Sequence, residues 1–238
     1  MPATRSLAGL LALFLACGCS PEALSGLGAG GGETGLEVAS ETRSAWPSGG
    51  AGSELVPPEV RAAYIAAVQS GAGAEHAFRL GVDGAVAAGS NAAQGFEIEV
   101  GGEGLRLAAQ GRWTLGLRWT GVGREGTIEP VPEPAAGIEV DGSRATVRRG
   151  EGLEEWYLSG PLGLEQGFVI AQAPEVGPPD APVAVEIEVS GGEPVLADDG
   201  ESILLQAEHG GAAFRYTDLY AQDAAGRWLE AWMAVGGR

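Results

Sequence analysis

Short segments in which apolar and polar residues alternate run along the chain from His76 onward. Such a period of two places successive side chains on opposite faces of a strand. Glycine (41 residues) and proline (14 residues) interrupt these segments and exclude long helices. The pattern therefore predicts a mostly β fold, an antiparallel sandwich or barrel-like domain. The clearest inward-facing positions are Phe96, Ile98, Val100, Trp113, Leu115, Leu117 and Trp119.

One short helix is predicted before the strands. Pro57 and Pro58 suit a first helical turn, and Glu59 complements the helix dipole there. Gly71 ends the segment. The spacing of three and four residues predicts an apolar helix face made of Val60, Ala63, Tyr64, Ala67 and Val68.

The charge of the chain excludes several kinds of function. The formal net charge is −18, and all 14 basic residues are arginine. Without lysine there is no P-loop lysine, no pyridoxal Schiff base and no lysine general base. A strongly acidic surface also repels phosphate backbones, so nucleic acid is not an expected partner.

The first 19 residues have the features of an export signal. Arg5 precedes an apolar run from Leu7 to Ala16, which is about half the length that a membrane-spanning helix needs. The run ends at Cys17 and Cys19, the only cysteines of the chain. Small residues before a cysteine are typical of the lipobox of bacterial lipoproteins, in which the thiol receives a lipid. We predict lipidation at Cys17 or Cys19, with Cys17 slightly favoured.

The remaining chain divides into a tether and a domain. Residues 20–56 are rich in Gly, Ser, Glu and Ala and contain too little apolar surface to fold, which predicts a flexible tether. Residues 57–238 form a single β-rich domain. This domain contains no cysteine, so neither a disulfide nor a cysteine-ligated zinc ion is expected in it.

Several short motifs resemble binding sites, but their sequence context favours structural roles. The G-x-G-x-x-G match at 121–126 lacks the helix that a dinucleotide needs, so an irregular loop is predicted. The segment 198–201 (DDGE) is interpreted as a hairpin turn in preference to a calcium site. His76 and His209 are too few for a transition-metal site, and no cofactor is expected.

Catalytic arrangements are equally weak in the sequence. Ser159 has no nucleophile elbow, and most glutamates alternate with apolar residues as on the solvated face of a sheet. Paired carboxylates for glycoside hydrolysis stay open as an alternative, because their separation is a three-dimensional property. An aromatic platform for sugars, formed by Trp228 and Trp232 beside Tyr216 and Tyr220, is the accompanying alternative to a packed sheet face.

Three segments carry a family resemblance. Residues 155–170 read EWYLSGPLGLEQGFVI, close to a WYxNGPLGLEQGF pattern, with Ser159 in place of Asn. Residues 64–69 (YIAAVQ) are followed by 91–95 (NAAQG), with Ala92 in place of Pro, and 215–229 read RYTDLYAQDAAGRWL. Over residues 60–238 the chain resembles the β-rich domain that precedes FG-GAP repeats in exported bacterial proteins. The resemblance supplies no catalytic residues, and the adhesion role of the repeat propellers is not transferred.

Together these observations predict an exported bacterial envelope lipoprotein, anchored at the outer membrane, with a non-enzymatic β-domain that serves as a binding or spacer module. The alternative is a carbohydrate-active enzyme or a sugar-binding accessory module. The ligand, protein or glycan, is not defined by the sequence. Because relatives continue past this C-terminus, we expect a truncated or degenerate form of the domain that is marginally stable or self-associates through an edge strand near Trp232 and Val235.

Overall fold

The computed structural model describes residues 9–17 by their backbone, and residues 56–109, 113–134, 136–207 and 214–236. Two antiparallel sheets form the described part, together with one α-helix, α1 (Pro58–Gln69), and a 3-10 turn, Ala74–His76. The predicted mostly β fold with a single short helix is confirmed. No helix among the described residues is long and apolar enough to cross a membrane.

The smaller sheet has seven strands in the order β12-β6-β5-β4-β3-β2, with β7 also paired to β6. Its strands are β2 (Arg79–Leu80), β3 (Val86–Asn91), β4 (Phe96–Gly101), β5 (Gly104–Ala109), β6 (Trp113–Arg124), β7 (Thr127–Pro130) and β12 (Val183–Ser190).

The larger sheet has nine strands in the order β13-β14-β15-β1-β11-β10-β9-β8, with β16 also paired to β15. Its strands are β1 (Gly9–Cys17), β8 (Glu139–Asp141), β9 (Arg144–Arg148), β10 (Leu153–Gly160), β11 (Gly163–Ile170), β13 (Gly192–Leu196), β14 (Ile203–Ala207), β15 (Phe214–Asp223) and β16 (Trp228–Leu229).

The core lies between the two sheets. The indole of Trp119 on β6 meets the ring of Phe168 on β11 edge to face, with 4.8 Å between ring centroids. Phe214 on β15 contacts Phe96 and Trp113 in the same manner, at 5.5 and 4.6 Å. All the inward positions predicted on β4 and β6 are buried, whereas Glu97 and Glu99 between them are exposed. These contacts join the two sheets into a sandwich.

The buried face of α1 differs from the predicted one. Val60 and Tyr64, expected to pack inward, are exposed, and the buried residues are Ala62, Ile65 and Gln69. The helix is rotated because Gln69 is drawn into the sandwich: its amide donates to the carbonyl of Gly163 at 3.3 Å. The buried face of the helix therefore includes the polar residue Gln69 at its end. The spacing of apolar residues alone could not predict this face.

The Asp141-Gly142 dipeptide predicts a hairpin turn and the segment 227–232 predicts a strand, and the structure differs from both predictions in detail. The turn between β8 and β9 is centred on Gly142 and Ser143, since Asp141 pairs with Arg144. Gly142 has φ of 54°, as the first central position of a type II′ turn requires. At the C-terminus, the strand predicted over 227–232 is only Trp228–Leu229, and it is paired with β15.

Strand β15 contains a bulge that changes the face on which its side chains lie. Its register against β1 gains one residue between Thr217 and Tyr220. Asp218 in this bulge has φ of 58°, the only non-glycine residue with positive φ in the described part of the chain. Its carboxylate pairs with the Arg61 guanidinium of α1 at 3.3 Å. The bulge puts Tyr216 on the inner face of the sheet and Tyr220 on the outer face.

We expect Asp218→Gly to be more stable than Asp218→Ala by about 1 kcal/mol. Both variants lose the contact with Arg61, so they differ mainly in how easily the residue adopts the left-handed conformation. Urea unfolding of the two variants measures the difference. Equal stabilities would show that the bulge relaxes to a negative φ when the carboxylate is removed.

Candidate functional site

A groove opens between the two sheets at the end of the sandwich where β12 faces β13–β15. Its volume is about 1690 Å³, larger than a pocket for one small molecule, which typically encloses roughly 300–1,000 Å³. The walls are mainly apolar and the segment after β16 forms part of one wall. The apolar lining residues include Val183, Val185, Ile187, Val189, Ile203, Leu205, Leu219, Trp232, Met233 and Val235.

Charged residues lie around this groove. Glu125, Glu188, Glu193 and Glu230 contribute to its lining, with Arg124 as the basic residue among them. The Arg124 guanidinium donates to the carbonyl of Ala181 at 2.7 Å, so it supports the loop before β12. The resulting negative potential favours neutral or basic ligands and disfavours anionic ones.

The turn between β10 and β11 is held by three side chains from other elements. Gln69 of α1 donates to the carbonyl of Gly163, Asn91 at the end of β3 donates to that of Gly160 at 3.1 Å, and Gln94 donates to that of Leu162 at 2.8 Å. The residues that carry the family resemblance at 64–69, 91–95 and 160–163 therefore meet at one place. Their contacts stabilise the fold and do not form an open site.

A polar network is buried on the inner face of the larger sheet. Glu155 accepts hydrogen bonds from the Arg149 guanidinium (2.9 Å), from the Gln166 amide (2.9 Å) and from the Tyr157 hydroxyl. The Tyr216 hydroxyl donates to the Gln166 carbonyl oxygen at 2.9 Å. Burial, and then the negative charge of Glu155, raise the pKa of Tyr157 and of Tyr216, so both hydroxyls stay protonated as donors. Glu155, Tyr157 and Gln166 are fully buried, and of the network only Tyr216 also lines the groove.

A second polar cluster lies on the outer face of the same sheet. The indole of Trp156 covers Gly167 of the neighbouring strand, and the Arg144 guanidinium stacks on this indole, 4.2 Å from the ring centroid. The Tyr220 hydroxyl donates to Glu165 at 3.2 Å. Burial raises the pKa of Glu165, and the hydrogen bond from Tyr220 and the charge of Arg144 oppose this rise.

We expect Glu165→Gln to raise the melting temperature near neutral pH. The folded-state pKa of Glu165 lies above the ordinary value. The protonated carboxyl therefore contributes to the stability of the domain at pH values below its unfolded-state pKa, and this contribution is lost as the pH rises through the folded-state pKa. Near neutral pH the buried charge disfavours the folded state. Glutamine keeps the acceptor for Tyr220 without a charge. Thermal melts at about pH 7 and about pH 4 check this, because the gain should shrink at the lower pH.

Glu97→Gln is the matched control, because Glu97 is exposed on β4. It should change the melting temperature little at either pH. A lower melting temperature for Glu165→Gln at pH 7 would show that the carboxylate is held by its partners more strongly than burial disfavours it.

Ser159 and the histidines, considered above for catalysis or metal binding and given structural interpretations, lie on separate elements where the structure describes them. Ser159 is fully buried in β10, and its hydroxyl has no hydrogen-bond partner in the described structure. His76 is buried in the 3-10 turn, with Glu75 as its nearest carboxylate at 3.8 Å. His209 lies outside the described residues. Within the described part of the chain, no group of three or more His, Cys, Asp or Glu residues is arranged to hold a metal ion.

The glycine-rich and acidic motifs are both hairpins. Residues 121–124 lie within β6, and Gly126 with φ of 81° turns the chain into β7. The predicted irregular loop is thus a strand and a tight turn. In the 198–201 motif, the Asp199 carboxylate accepts hydrogen bonds from the backbone amides of Glu201 and Ser202, at 2.9 and 3.0 Å. This side chain stabilises the turn between β13 and β14.

The aromatic residues considered as a sugar platform do not form one surface. Tyr216 is buried on the inner face, and Tyr220 contacts Trp228 with ring planes tilted by 56°. Trp232 follows the end of β16 and lines the groove, as Tyr216 does, whereas neither Tyr220 nor Trp228 belongs to that lining. The bulge at Asp218 causes this separation, since it reverses the alternation along β15 between the two tyrosines.

The apolar segment predicted to be an export signal forms β1 of the larger sheet. Gly9–Cys17 runs antiparallel to both β11 and β15, with Cys17 as its last residue. Cys19 lies outside the described residues. The groove, in contrast, was not predicted at all, because its lining comes from distant segments and no short motif marks it.

Scans against protein-family models, curated proteins and solved structures found no match to this chain.

Proposed function

We propose that this protein is an exported, lipid-anchored module of the bacterial envelope that binds, without catalysis, an extended apolar segment of a protein partner in the groove between its sheets. The observation that carries this proposal is the groove itself. Its volume exceeds that of a pocket for one small molecule, and Val183, Val185, Ile187 and Val189 of β12 contribute apolar side chains to its lining. The glutamates along it favour a segment with basic flanks over an anionic lipid.

The non-enzymatic part of the proposal is supported by what the polar side chains do. Glu155 and Glu165 are engaged with arginine, tyrosine and glutamine, and Ser159 is buried away from the groove's lining. The alternative of a sugar-binding or carbohydrate-active module lacks the support of a flat aromatic surface, given the tilt between Tyr220 and Trp228.

Binding can be tested with two synthetic peptides of alternating valine and serine, one flanked by lysines and one by glutamates. We expect the lysine-flanked peptide to bind more tightly, with a difference that salt reduces. Calorimetric titration of the full chain measures both affinities. Binding of neither peptide, or equal binding of both, contradicts the proposed ligand class. Binding of a neutral oligosaccharide instead supports the sugar alternative.

Two valines of similar exposure locate the binding site. Val183 lines the groove and is 42% exposed, whereas Val86 lies on β3 outside the groove lining and is 40% exposed. We expect Val183→Asp to weaken binding of the neutral probe Nile red about fivefold, in line with roughly 1 kcal/mol of lost apolar contact. Val86→Asp should leave this affinity unchanged.

Anchoring is tested separately by mass spectrometry of the mature N-terminus. We expect a diacylglycerol-modified cysteine at Cys17 or Cys19 and partition of the protein with membranes. A free thiol behind an upstream cleavage site contradicts the lipoprotein assignment and leaves the groove proposal intact.

A further inference from the structure

Strand β1 lies between β15 and β11, and a tyrosine side chain of β15 extends across it on each face of the sheet. We call the position between β15 and β11 the slot. Tyr216 of β15 reaches Gln166 of β11 on the inner face, and Tyr220 of β15 reaches Glu165 on the outer face, so both hydrogen bonds cross the position of β1. The β11 residues beside the slot are buried on both faces from Gly163 to Phe168. A strand in this slot needs apolar residues on both of its faces.

Removal of an export signal before Cys17 would take most of β1 away. The edges of β11 and β15 that now pair with it would then carry free backbone N–H and C=O groups in the middle of the larger sheet. Unpaired groups of this kind are costly when buried, and open edges recruit other strands. A processed domain therefore needs a replacement strand that runs antiparallel to both neighbours.

The C-terminal segment has the direction and register that the slot requires. Trp228 and Leu229 lie opposite Gln222 and Ala221 of β15, and Leu10 and Leu11 of β1 lie opposite the same two residues. The two segments now occupy opposite edges of β15. Moving the segment to the other edge of β15 keeps the same residues opposite each other but uses the alternate set of backbone hydrogen-bonding groups of β15.

On its present edge, the C-terminal segment cannot extend its pairing. Strand β14 already pairs with Phe214, Arg215 and Tyr216, so only two residue pairs form between β15 and β16. On the slot side, β15 pairs along its whole length from Asp223 to Phe214. The slot thus offers a longer ladder of hydrogen bonds, and a second one from β11.

The sequence of the C-terminal segment also fits. When the register of β1 is continued, apolar residues occupy every inner-face position: Leu229, Ala231, Met233 and Val235 correspond to Leu11, Leu13, Leu15 and Cys17. Glu230 is the exception to this apolar pattern: it corresponds to Ala12, opposite Gly167 and Tyr220, on the outer face of the sheet. That face carries Arg144, stacked on Trp156, and also Glu165, so the single charge of the segment has both an arginine and a glutamate on its face.

We propose that residues 228–235 replace Gly9–Cys17 between β11 and β15 when the leader is removed, and that this exchange opens the groove. The opening follows because residues 231–236 now form part of the groove wall. In the precursor, the leader keeps the C-terminal segment in the groove wall, so the groove stays narrower than after the exchange. The inference rests on the proposed export and deepens the proposed function, since ligand binding would increase only after processing.

Disulfide trapping tests the exchange. Val169 pairs with Leu10 and would pair with Trp228 in the slot, whereas β15 and β1 now separate Val169 from Trp228. Three strand spacings amount to about 14 Å, and a disulfide needs Cα atoms roughly 4.4–6.8 Å apart. The Val169→Cys/Trp228→Cys pair is introduced into the full chain carrying Cys17→Ser and Cys19→Ser, and into a chain that begins at Ser20.

We expect an intramolecular disulfide in the chain that begins at Ser20 and none in the full chain. The Gln222→Cys/Trp228→Cys pair is the matched control and should crosslink in both chains, because those residues are neighbours on either edge. Absence of the Val169–Trp228 disulfide while the control forms overturns the proposal. A disulfide between two molecules also overturns it, in favour of strand donation by a second copy.

Stability provides an independent measurement. Val235 is 39% exposed in the present arrangement, and in the slot it takes the inner position opposite Phe214. Val235→Asp should therefore leave the melting temperature of the full chain unchanged and lower that of the shortened chain. Ala234→Asp, at the neighbouring outer position beside Arg215, should affect neither. A shortened chain that does not fold overturns the exchange, and neither readout depends on the groove ligand.

Discussion

Arg149→Met is expected to destabilise the domain by about 3–5 kcal/mol, the usual effect of removing one partner of a buried ion pair. The guanidinium of Arg149 is 3% exposed and the carboxylate of Glu155 is fully buried. Methionine keeps the length of the side chain but leaves the Glu155 charge without its cation. The Arg149 guanidinium also donates to the carbonyl of Gly102 at 3.1 Å, which joins the two sheets. Denaturant unfolding measures the loss.

The adjacent arginine supplies the control. Arg148 pairs with Glu139 at 2.6 Å, but both side chains are more than half exposed. Arg148→Met should therefore cost at most about 1 kcal/mol. Adding Glu155→Gln to Arg149→Met should recover part of the loss, because the uncompensated charge disappears while an acceptor remains for Tyr157 and Gln166. Equal losses for the two arginine variants would contradict a buried, energetically coupled pair.

The alternation of side chains predicted the sandwich core but not its polar centre. Glu97 and Glu99 lie on the solvated face, as glutamates between apolar strand residues usually do. Glu155 belongs to the inner face because Arg149 and Gln166 meet it there. Arg149 lies in the loop after β9 and Gln166 lies in β11, whereas Glu155 lies in β10. The sequence around Glu155 therefore does not predict that its carboxylate is buried.

Long-range strand pairing explains the other gaps between sequence and structure. The apolar run at 9–17 has the composition of an export signal, and its pairing with strands about 150 and 200 residues further along the chain cannot be read from a local window. The groove is likewise assembled from β12, β14, β15 and the C-terminal segment. In the sequence, the apolar residues of the groove have the same alternation as other strand residues. They differ only because the two sheets are separated at this end of the sandwich, which a local pattern cannot show.

Two residues of the segment that carries the family resemblance, Gln166 and Gly167, have clear structural roles. Gln166 and Gly167 both lie within β11. Gln166 completes the buried network, and Gly167 leaves room for an indole from the neighbouring strand. Both residues are therefore required by side chains of β10 with which they pair across the hairpin.

Gly167→Ala is expected to destabilise the domain by about 2–3 kcal/mol, at the upper end of overpacking effects. A Cβ atom at this position would overlap the six-membered ring of Trp156, which is itself 3% exposed and held under Arg144. The ring cannot move outward without losing that stacking. Thermal and urea unfolding should both show the loss, whereas Gly236→Ala, with no atom near its Cβ position, should be neutral.

A double-mutant cycle identifies the cause of this loss. Trp156→Leu removes the ring that an alanine at 167 would meet, so the double variant Gly167→Ala/Trp156→Leu should be more stable than the sum of the two single effects predicts, by at least about 1 kcal/mol. Additive effects would mean that the alanine acts on the backbone of β11 and not on the indole. In that case Gly167 would be required for its own conformation, and the packing of Trp156 across the hairpin would not explain the glycine.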